Sequence, residues 1–138
     1  MGFRALLVEA NRTSRDVREA LADTGCIELW SATSCEIAVE RFHRERLAPD
    51  VAIVDLIDPE PQALEALGRL RGVPVIAIMN DASSDARGVD AVVRPVRRID
   101  MIARIRSALR LRAERARRAA RARSRSEEKR GMIACHFF

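Results

Sequence analysis

Long apolar runs and paired cysteines are what this sequence of 138 residues most clearly lacks. No stretch approaches the ~18 consecutive apolar residues of a transmembrane helix, so we expect no membrane insertion. The three cysteines, Cys26, Cys35 and Cys135, have neither the paired spacing of zinc ligands nor the even number of a disulfide framework. These absences exclude structural zinc and a disulfide-rich fold. Because residues 1–8 also lack the pattern of a cleavable signal, we expect a cytoplasmic protein.

Motifs of catalysis are missing as well. The sequence has no Gly-rich phosphate loop, no nucleophile elbow and no pair of catalytic carboxylates, so we expect a protein that is not an enzyme. Its length and its 48% share of hydrophobic residues are sufficient for one domain with one core.

Lysine is almost absent, because 24 of the 25 basic residues are arginine. This preference fits either selection for guanidinium chemistry or a GC-rich genome. Residues 1–103 hold 13 Arg and 17 Asp or Glu, a net charge of −4, whereas residues 104–138 hold 11 Arg, one Lys and three Glu, a net charge of +9. We therefore predict an acidic domain over residues 1–110 and an arginine-rich extension over residues 111–138.

Short apolar runs recur along the first 110 residues. Most are continuous, as in parallel strands that are covered on both faces, and they comprise residues 5–8, 27–30, 51–54, 73–79 and 91–93. Helical patterns lie between them, so we predict an α/β fold with a doubly wound, five-stranded parallel sheet and an extended basic C-terminal helix or tail.

The helix boundaries follow from capping signals. We predict helices over residues 14–24, closed by Gly25; from a capping box at residues 33–36 to about Arg44; and over residues 62–71, closed by Gly72. Residues 80–90 leave room for a short fourth helix only. Asp100 caps a last helix, whose apolar stripe of Ile102, Ile105 and Leu109 faces the sheet.

Function in such sheets gathers at the carboxyl ends of the strands. The residues at those ends should converge on one pocket, and they are Glu9, Ala10, Asp55, Met79, Asn80, Arg94 and Pro95.

The segment 49–59, Pro-Asp-Val-Ala-Ile-Val-Asp-Leu-Ile-Asp-Pro, places Asp55 at the end of a buried strand with a proline four residues later. With Pro74-Val75-Ile76 and with Arg94-Pro95 before the last helix, this order resembles the CheY-like receiver domain of bacterial response regulators. The resemblance covers about residues 4–110 and implies a flavodoxin-like sheet. It implies that Asp55 is at the phosphoacceptor position, Glu9 at the first acidic metal ligand and Arg94 at the lysine that contacts the phosphoryl group.

Four positions depart from the receiver pattern. Ala10 replaces the second acidic ligand, which makes a Mg²⁺ site doubtful because Mg²⁺ needs carboxylate oxygens in near-octahedral geometry and one of the two carboxylates is lost. Arg94 keeps a positive charge but is a planar fork, whereas lysine is a point charge. Met79 and Ala91 replace the hydroxyl and the aromatic ring of the family's switch. Asp55 is thus interpreted as a remnant or as a structural carboxylate paired with Arg94, and a phosphorylatable single-domain response regulator is an alternative.

The extension is dominated by eight arginines within residues 110–125. They surround a helix, and like charges three and four residues apart repel, so we expect a partly unfolded segment that an anion orders. The candidate ligand-binding residues are Arg110, Arg112, Arg115, Arg117, Arg118, Arg121, Arg123, Arg125, Ser124 and Ser126.

Guanidinium groups bind phosphate bidentately, fit the O6/N7 edge of guanine and stack on bases. Residues 115–128 resemble the arginine-rich extension of the Cle group of CheY-like cyclic-di-GMP effectors. This resemblance implies cyclic-di-GMP as the ligand and the flagellar motor switch as a protein partner. Nucleic acid is the alternative anion, although only Phe137 and Phe138 offer rings for stacking in this segment. The apolar residues 131–138 are interpreted as a frayed terminus or as a patch that folds back.

Overall fold

Five parallel strands form one sheet in a computed structural model of the protein, which describes residues 2–10, 14–56, 61–70, 72–80 and 90–136, with residues 131–136 described as backbone. The elements in chain order are β1 (Phe3–Glu9), α1 (Arg15–Asp23), β2 (Cys26–Ala32), α2 (Cys35–Arg44), β3 (Val51–Asp55), α3 (Pro61–Gly68), β4 (Val75–Met79), β5 (Asp90–Val93) and α4 (Arg98–His136). The sheet order is β2-β1-β3-β4-β5 and all neighbouring strands are parallel, which confirms the predicted fold class.

Both faces of the sheet are covered, which explains why its central strands are apolar except at Arg4, Glu9 and Asp55. Along β1, Phe3, Ala5 and Leu7 belong to the core that includes α1 and α4. Leu6 and Val8 belong to the core on the other face, with α2 and α3.

Of two predicted helix caps, the one at Gly25 is confirmed and the one at residues 33–36 is displaced by one residue. Gly25 has φ 93° directly after the last turn of α1, the left-handed conformation that glycine adopts without strain. The predicted capping box at residues 33–36 is wrong by one residue. Ser34 is the N-cap of α2, and its hydroxyl accepts a hydrogen bond from the backbone N–H of Ile37 at 3.2 Å. The reason is that β2 continues to Ala32, which leaves Thr33 in the turn between strand and helix.

The helix predicted over residues 62–71 is shorter in the structure, where α3 ends at Gly68. Glycine is a poor helix former, and the chain leaves α3 through three-residue turns in which Leu70 N–H bonds Leu67 O and Val73 N–H bonds Leu70 O. Gly72, with φ 68°, therefore closes the turn before β4 and does not cap the helix.

The start of α4 and its buried stripe also require correction. The helix begins at Arg98, so Asp100 lies in its first turn and is not its N-cap. The buried residues are Met101, Ile105 and Ala108, while the predicted Ile102 and Leu109 lie partly exposed at the edges of the stripe. Helix α4 is thus rotated slightly about its own axis, so that a neighbouring face packs against the sheet in place of the predicted one.

The expectation of a partly unfolded extension is wrong for the backbone, because α4 continues as one helix to His136. Its 39 residues correspond to a length of roughly 58 Å. The packed turns before Leu109 supply the nucleus, which is the costly step of helix formation, and alanine and arginine both favour propagation.

Some predictions lie outside the described residues: most of the short fourth helix of residues 80–90, the proline at the end of segment 49–59, and the aromatic residues 137 and 138. The side chains of the apolar terminus are also outside the described part. Among the helices that the structure describes, none combines the length and apolarity needed to span a bilayer.

Candidate functional site

Glu9 and Asp55 lie side by side at the carboxyl edge of the sheet. They end β1 and β3 and are directly paired in the register of these strands. Both are buried, with 2% and 8% of their surface exposed. Two adjacent buried carboxylates require compensating positive charge, because an unpaired buried charge is strongly unfavourable.

Arg94 supplies the charge for Asp55. Its Nη1 donates to Oδ1 of Asp55 at 2.7 Å and its Nη2 to Oδ2 at 2.5 Å, a bidentate pair. The backbone N–H of Arg94 donates a hydrogen bond to the carbonyl of Met79 at 2.9 Å, which fixes the backbone position from which the Arg94 side chain extends. These hydrogen bonds from Arg94 to Asp55 raise the pKa of Arg94 above its usual value. Asp16 adds a third carboxylate, 3.6 Å from Nη2.

Ser14 and Arg18, from the start of α1, complete the arrangement. The Ser14 hydroxyl donates to Oδ2 of Asp55, and the Ser14 backbone N–H donates to Oε2 of Glu9 at 3.2 Å. Arg18 donates from Nε to Oε1 of Glu9 at 2.8 Å and also from Nη2. We call these five residues, Glu9, Ser14, Arg18, Asp55 and Arg94, the carboxyl-edge network.

Ser14 and Arg18 were not among the residues predicted for this site. A signal was present, since Ser14 precedes a helix at the carboxyl edge and Arg18 is one turn later on the same face. Ser14 was assigned to the start of that helix, but its side chain makes no capping bond and turns to Asp55 instead.

The network does not fit a Mg²⁺ ion. Both oxygens of Asp55 and both oxygens of Glu9 already accept hydrogen bonds. Ala10 has a methyl group where a receiver has a carboxylate, and no group of three or more potential metal ligands occurs in the part of the chain that the structure describes. A dication would have to displace the guanidinium groups of Arg18 and Arg94.

Of the two switch positions, Met79 contacts the network through its backbone carbonyl, which accepts the hydrogen bond from the Arg94 N–H. Met79 is buried at the end of β4, and Ala91 is partly buried on β5, paired with Ala77. A thioether and a methyl group offer neither the hydroxyl donor nor the rotating ring of a receiver switch.

The described cysteines do not provide a nucleophile. Burial raises the pKa of Cys35 to about 11 and raises that of Cys26, so both thiols stay protonated at neutral pH.

The candidate residues on α4 fall into two groups. The inner group contacts the domain at the amino edge of the sheet: Arg112 Nη1 donates to Pro49 O at 2.5 Å, and Arg115 Nη1 donates to Gly72 O at 3.2 Å. Arg112 also lies 3.7 Å from Asp50. These contacts fix α4 against the turns that lead into β3 and β4. Arg110 belongs to neither group, because its Nη2 donates to Ser107 Oγ on the same helix, at 3.4 Å.

The outer group is exposed, and it consists of Arg117, Arg118, Arg121, Arg123, Ser124, Arg125 and Ser126. We call its five arginines the outer arginines. Within the described ranges, no carboxylate forms a salt bridge with any of them. Unneutralised guanidinium groups in close succession form a site of high positive potential.

The structure does not bring the outer arginines together with the carboxyl-edge network. Helix α4 begins at the carboxyl edge, crosses the sheet and leaves it at the amino edge beyond Arg115. From Arg98 to Arg115 this path is roughly 25 Å long. The two candidate regions therefore lie at opposite edges of the domain.

No protein-family model and no curated protein matches this sequence. Solved structures with the same fold do exist. The N-terminal domain of a response regulator/sensory box/GGDEF protein from Carboxydothermus hydrogenoformans aligns with a TM-score of 0.68 and 21% identity, covering 82% of this chain and 98% of that one. The receiver domain of a sensor histidine kinase from Pseudomonas aeruginosa PAO1, with a magnesium ion in its active-site cleft, aligns with a TM-score of 0.61 and 22% identity, covering 79% and 98%.

A chemotaxis response regulator of Vibrio cholerae aligns with a TM-score of 0.62 and 16% identity, covering 79% of this chain and 100% of that chain. At these identities the likeness is one of fold. The chain thus has the receiver fold of response regulators, with a long C-terminal helix added to it.

Proposed function

We propose that this protein is a non-enzymatic signalling protein that receives its signal on α4 by binding cyclic-di-GMP and passes it on by docking to a protein partner. The observation that supports this function best is the exposure of the outer arginines without salt-bridge partners in the described structure. The receiver fold supports a signalling role. Phosphorylation of Asp55 is disfavoured as the input signal, because both of its carboxylate oxygens accept hydrogen bonds from Arg94.

The chemistry of arginine favours a guanine-containing phosphodiester over a simple anion. Each guanidinium group offers a planar pair of donors, which fits both a phosphate and the O6/N7 edge of guanine. Arg121 lies four residues after Arg117 and three after Arg118, so it can contact one dinucleotide together with either of them from adjacent turns. Ser124 and Ser126 add hydroxyl donors further along the helix.

The protein partner follows from the resemblance to the Cle group, which points to the flagellar motor switch. The partner would dock on the domain. Arg112 and Arg115 attach α4 to the domain, so a ligand bound to α4 can affect that docking surface. Purified motor-switch protein should bind the full chain more tightly when cyclic-di-GMP is present, as measured by biolayer interferometry. If motor-switch protein binds the chain with equal affinity with and without cyclic-di-GMP, the proposed coupling of ligand binding to partner docking is wrong.

Titration calorimetry of the full chain tests the ligand. Cyclic-di-GMP should bind at micromolar concentration, and GMP should bind much more weakly. Changing Arg117, Arg118 and Arg121 to lysine keeps the charge but removes the planar forks, and it should weaken binding by about tenfold. The matched control changes Arg15, Arg44 and Arg69, which are exposed on α1, α2 and beyond α3, to lysine and should leave the affinity unchanged. No heat at micromolar concentration, or equal affinity of both triple variants, would contradict the proposal.

Nucleic acid is the second candidate because the outer arginines extend over more than two turns of α4, and Arg117, Arg118, Arg121 and Arg125 lie within about 100° of one another around the helix axis. A polyanion could contact several of them along that side of the helix. Binding to duplex DNA should then weaken steeply with salt, in proportion to the number of phosphates contacted. A dinucleotide held by few contacts should lose much less affinity over the same salt range, so titrations of both ligands against salt separate the two functions.

A further inference from the structure

We propose that the cavity between α4 and the amino ends of β4 and β5 receives one guanine base of the dinucleotide. This inference rests on the proposed function. The outer arginines would bind the phosphates of cyclic-di-GMP, and the cavity would bind one of its two bases.

The cavity has a volume of about 510 Å³ and opens at the point where α4 leaves the sheet. This size lies within the range of about 300–1,000 Å³ that is usual for small-molecule sites. Val73, Val75 and Leu111 contribute apolar surface to its lining, and Asp90, Ser107 and Arg115 contribute polar groups. Apolar walls with a few polar groups are the lining that a planar, hydrogen-bonding base requires.

Leu111 is the part of this lining that lacks an obvious structural use. It projects from α4 at the cavity with 41% of its surface exposed, directly after the last buried turn of the helix. A base placed against Leu111 and Val75 would cover this exposed apolar surface, a contribution that favours binding.

The polar groups suit guanine better than adenine. Asp90 accepts hydrogen bonds from Arg104 Nη1 at 2.7 Å and from Ala91 N–H at 3.0 Å, and both bonds end on Oδ1. Its Oδ2 can therefore accept from the ring N–H and amino group of guanine, whereas adenine presents an unprotonated ring nitrogen at the corresponding edge. Arg115 uses one N–H for Gly72 O and retains others that can donate to guanine O6 and N7 or to a phosphate.

The cavity is continuous with the outer arginines along one face of α4. Leu111 and Arg115 are four residues apart, and Arg118 follows three residues later, so these three side chains lie in one row. A base beside Leu111 would place its attached phosphate near Arg115 and Arg118. The arrangement explains why a small ligand could bind firmly to a helix that is otherwise surrounded by solvent.

A second cavity on the opposite side of α4 provides a matched control. It has a volume of about 350 Å³ and is lined by Leu109, Ile105 and Phe3, among others, but by none of the residues from Arg110 to Arg125. Leu111→Trp fills the proposed base cavity, and Leu109→Trp adds the same bulk two residues away in the second cavity.

Calorimetry with cyclic-di-GMP and cyclic-di-AMP, on the full chain and three variants, tests the assignment. The unmodified protein should prefer the guanine dinucleotide by about tenfold, the range expected for hydrogen-bonded base recognition. Leu111→Trp should weaken cyclic-di-GMP binding by about tenfold, while Leu109→Trp should not change it. Asp90→Asn should bring the two dinucleotides to similar affinity. Far-UV circular dichroism and urea midpoints verify that each variant is folded.

The outcomes separate this inference from the proposed function. If cyclic-di-GMP binds the unmodified protein but shows no preference over cyclic-di-AMP, or if folded Leu111→Trp binds as tightly as Leu109→Trp, the base cavity is wrong and the outer arginines alone suffice. If cyclic-di-GMP does not bind the unmodified protein, both the proposed function and the base cavity are overturned.

Discussion

At the scale of single residues, two guanidinium groups occupy the place where a receiver has its metal chemistry. Arg94 holds Asp55 in a bidentate pair, and Arg18 holds Glu9. Each arginine neutralises one buried carboxylate without any external ion.

Removing Arg94 should therefore destabilise the fold. Arg94→Ala leaves Asp55 buried without its cation, and we expect the free energy of unfolding to fall by roughly 3 kcal/mol in urea titrations. The control Arg69→Ala breaks an exposed pair with Glu65 on α3 and should cost less than about 0.5 kcal/mol. Adding Asp55→Asn to Arg94→Ala should restore part of the loss, because the unpaired charge is then gone. Equal stability of the two single variants would show that the Asp55 pair is not structural.

The same residues should determine the response to a phosphoryl mimic. The unmodified chain should not bind beryllofluoride with Mg²⁺ at Asp55, since the carboxylate oxygens are occupied. The triple variant Ala10→Asp, Arg18→Ala and Arg94→Lys restores a second carboxylate and a compact cation, and it should show saturable binding by ¹⁹F NMR. Saturable binding to the unmodified chain, abolished by Asp55→Asn, would instead support a phosphorylatable receiver.

At the scale of elements, α4 connects the two regions of the molecule. Its first three turns pack on the sheet through Met101, Ile105 and Ala108, and the next turn is fixed by Arg112 and Arg115. Beyond this point the helix has only solvent around its described side chains. The inner arginines therefore contribute to the attachment of the helix as well as to its charge.

Loss of the inner arginines should cost stability, whereas loss of outer arginines should not. Arg112→Ala removes the bond to Pro49 O and the ion pair with Asp50, so we expect a decrease of about 1 kcal/mol in the free energy of unfolding. Arg121→Ala changes the net charge equally and should lie within about 0.5 kcal/mol of the unmodified protein. Urea denaturation followed by tryptophan fluorescence of Trp30 measures both. The attachment is refuted if the two variants are equally stable.

At the scale of the whole molecule, opposite charges are separated along the chain. Residues 1–103 have a net charge of −4 and residues 104–138 a net charge of +9. Because the outer arginines project from the domain, the basic helix of one copy can approach the acidic surface of another. Such attraction acts over about 10 Å at 0.1 M salt and is screened at higher concentration.

Weak self-association at low ionic strength should follow. Sedimentation velocity should show a higher average mass at 20 mM salt than at 300 mM salt, and cyclic-di-GMP should reduce the difference by neutralising the outer arginines. A variant with Arg117, Arg118 and Arg121 changed to alanine should remain monomeric at both concentrations. A salt-independent mass for the unmodified protein would mean that the charge separation has no role in association.

The sequence alone determined the fold class, the order of the described elements and the positions of Glu9, Asp55 and Arg94 at one edge, because continuous apolar strands and helix signals are local patterns. The same local rules gave the wrong N-cap for α2, the wrong end for α3 and the wrong buried face for α4. Several residues can serve as a cap or form the buried face equally well by local rules, and tertiary packing decides among them. Ser14 and Arg18 joined the site only through tertiary structure, which brings the start of α1 onto β1 and β3. Tertiary structure also divided the arginines into an inner and an outer group, because only the path of α4 across the sheet decides which guanidinium groups reach the domain.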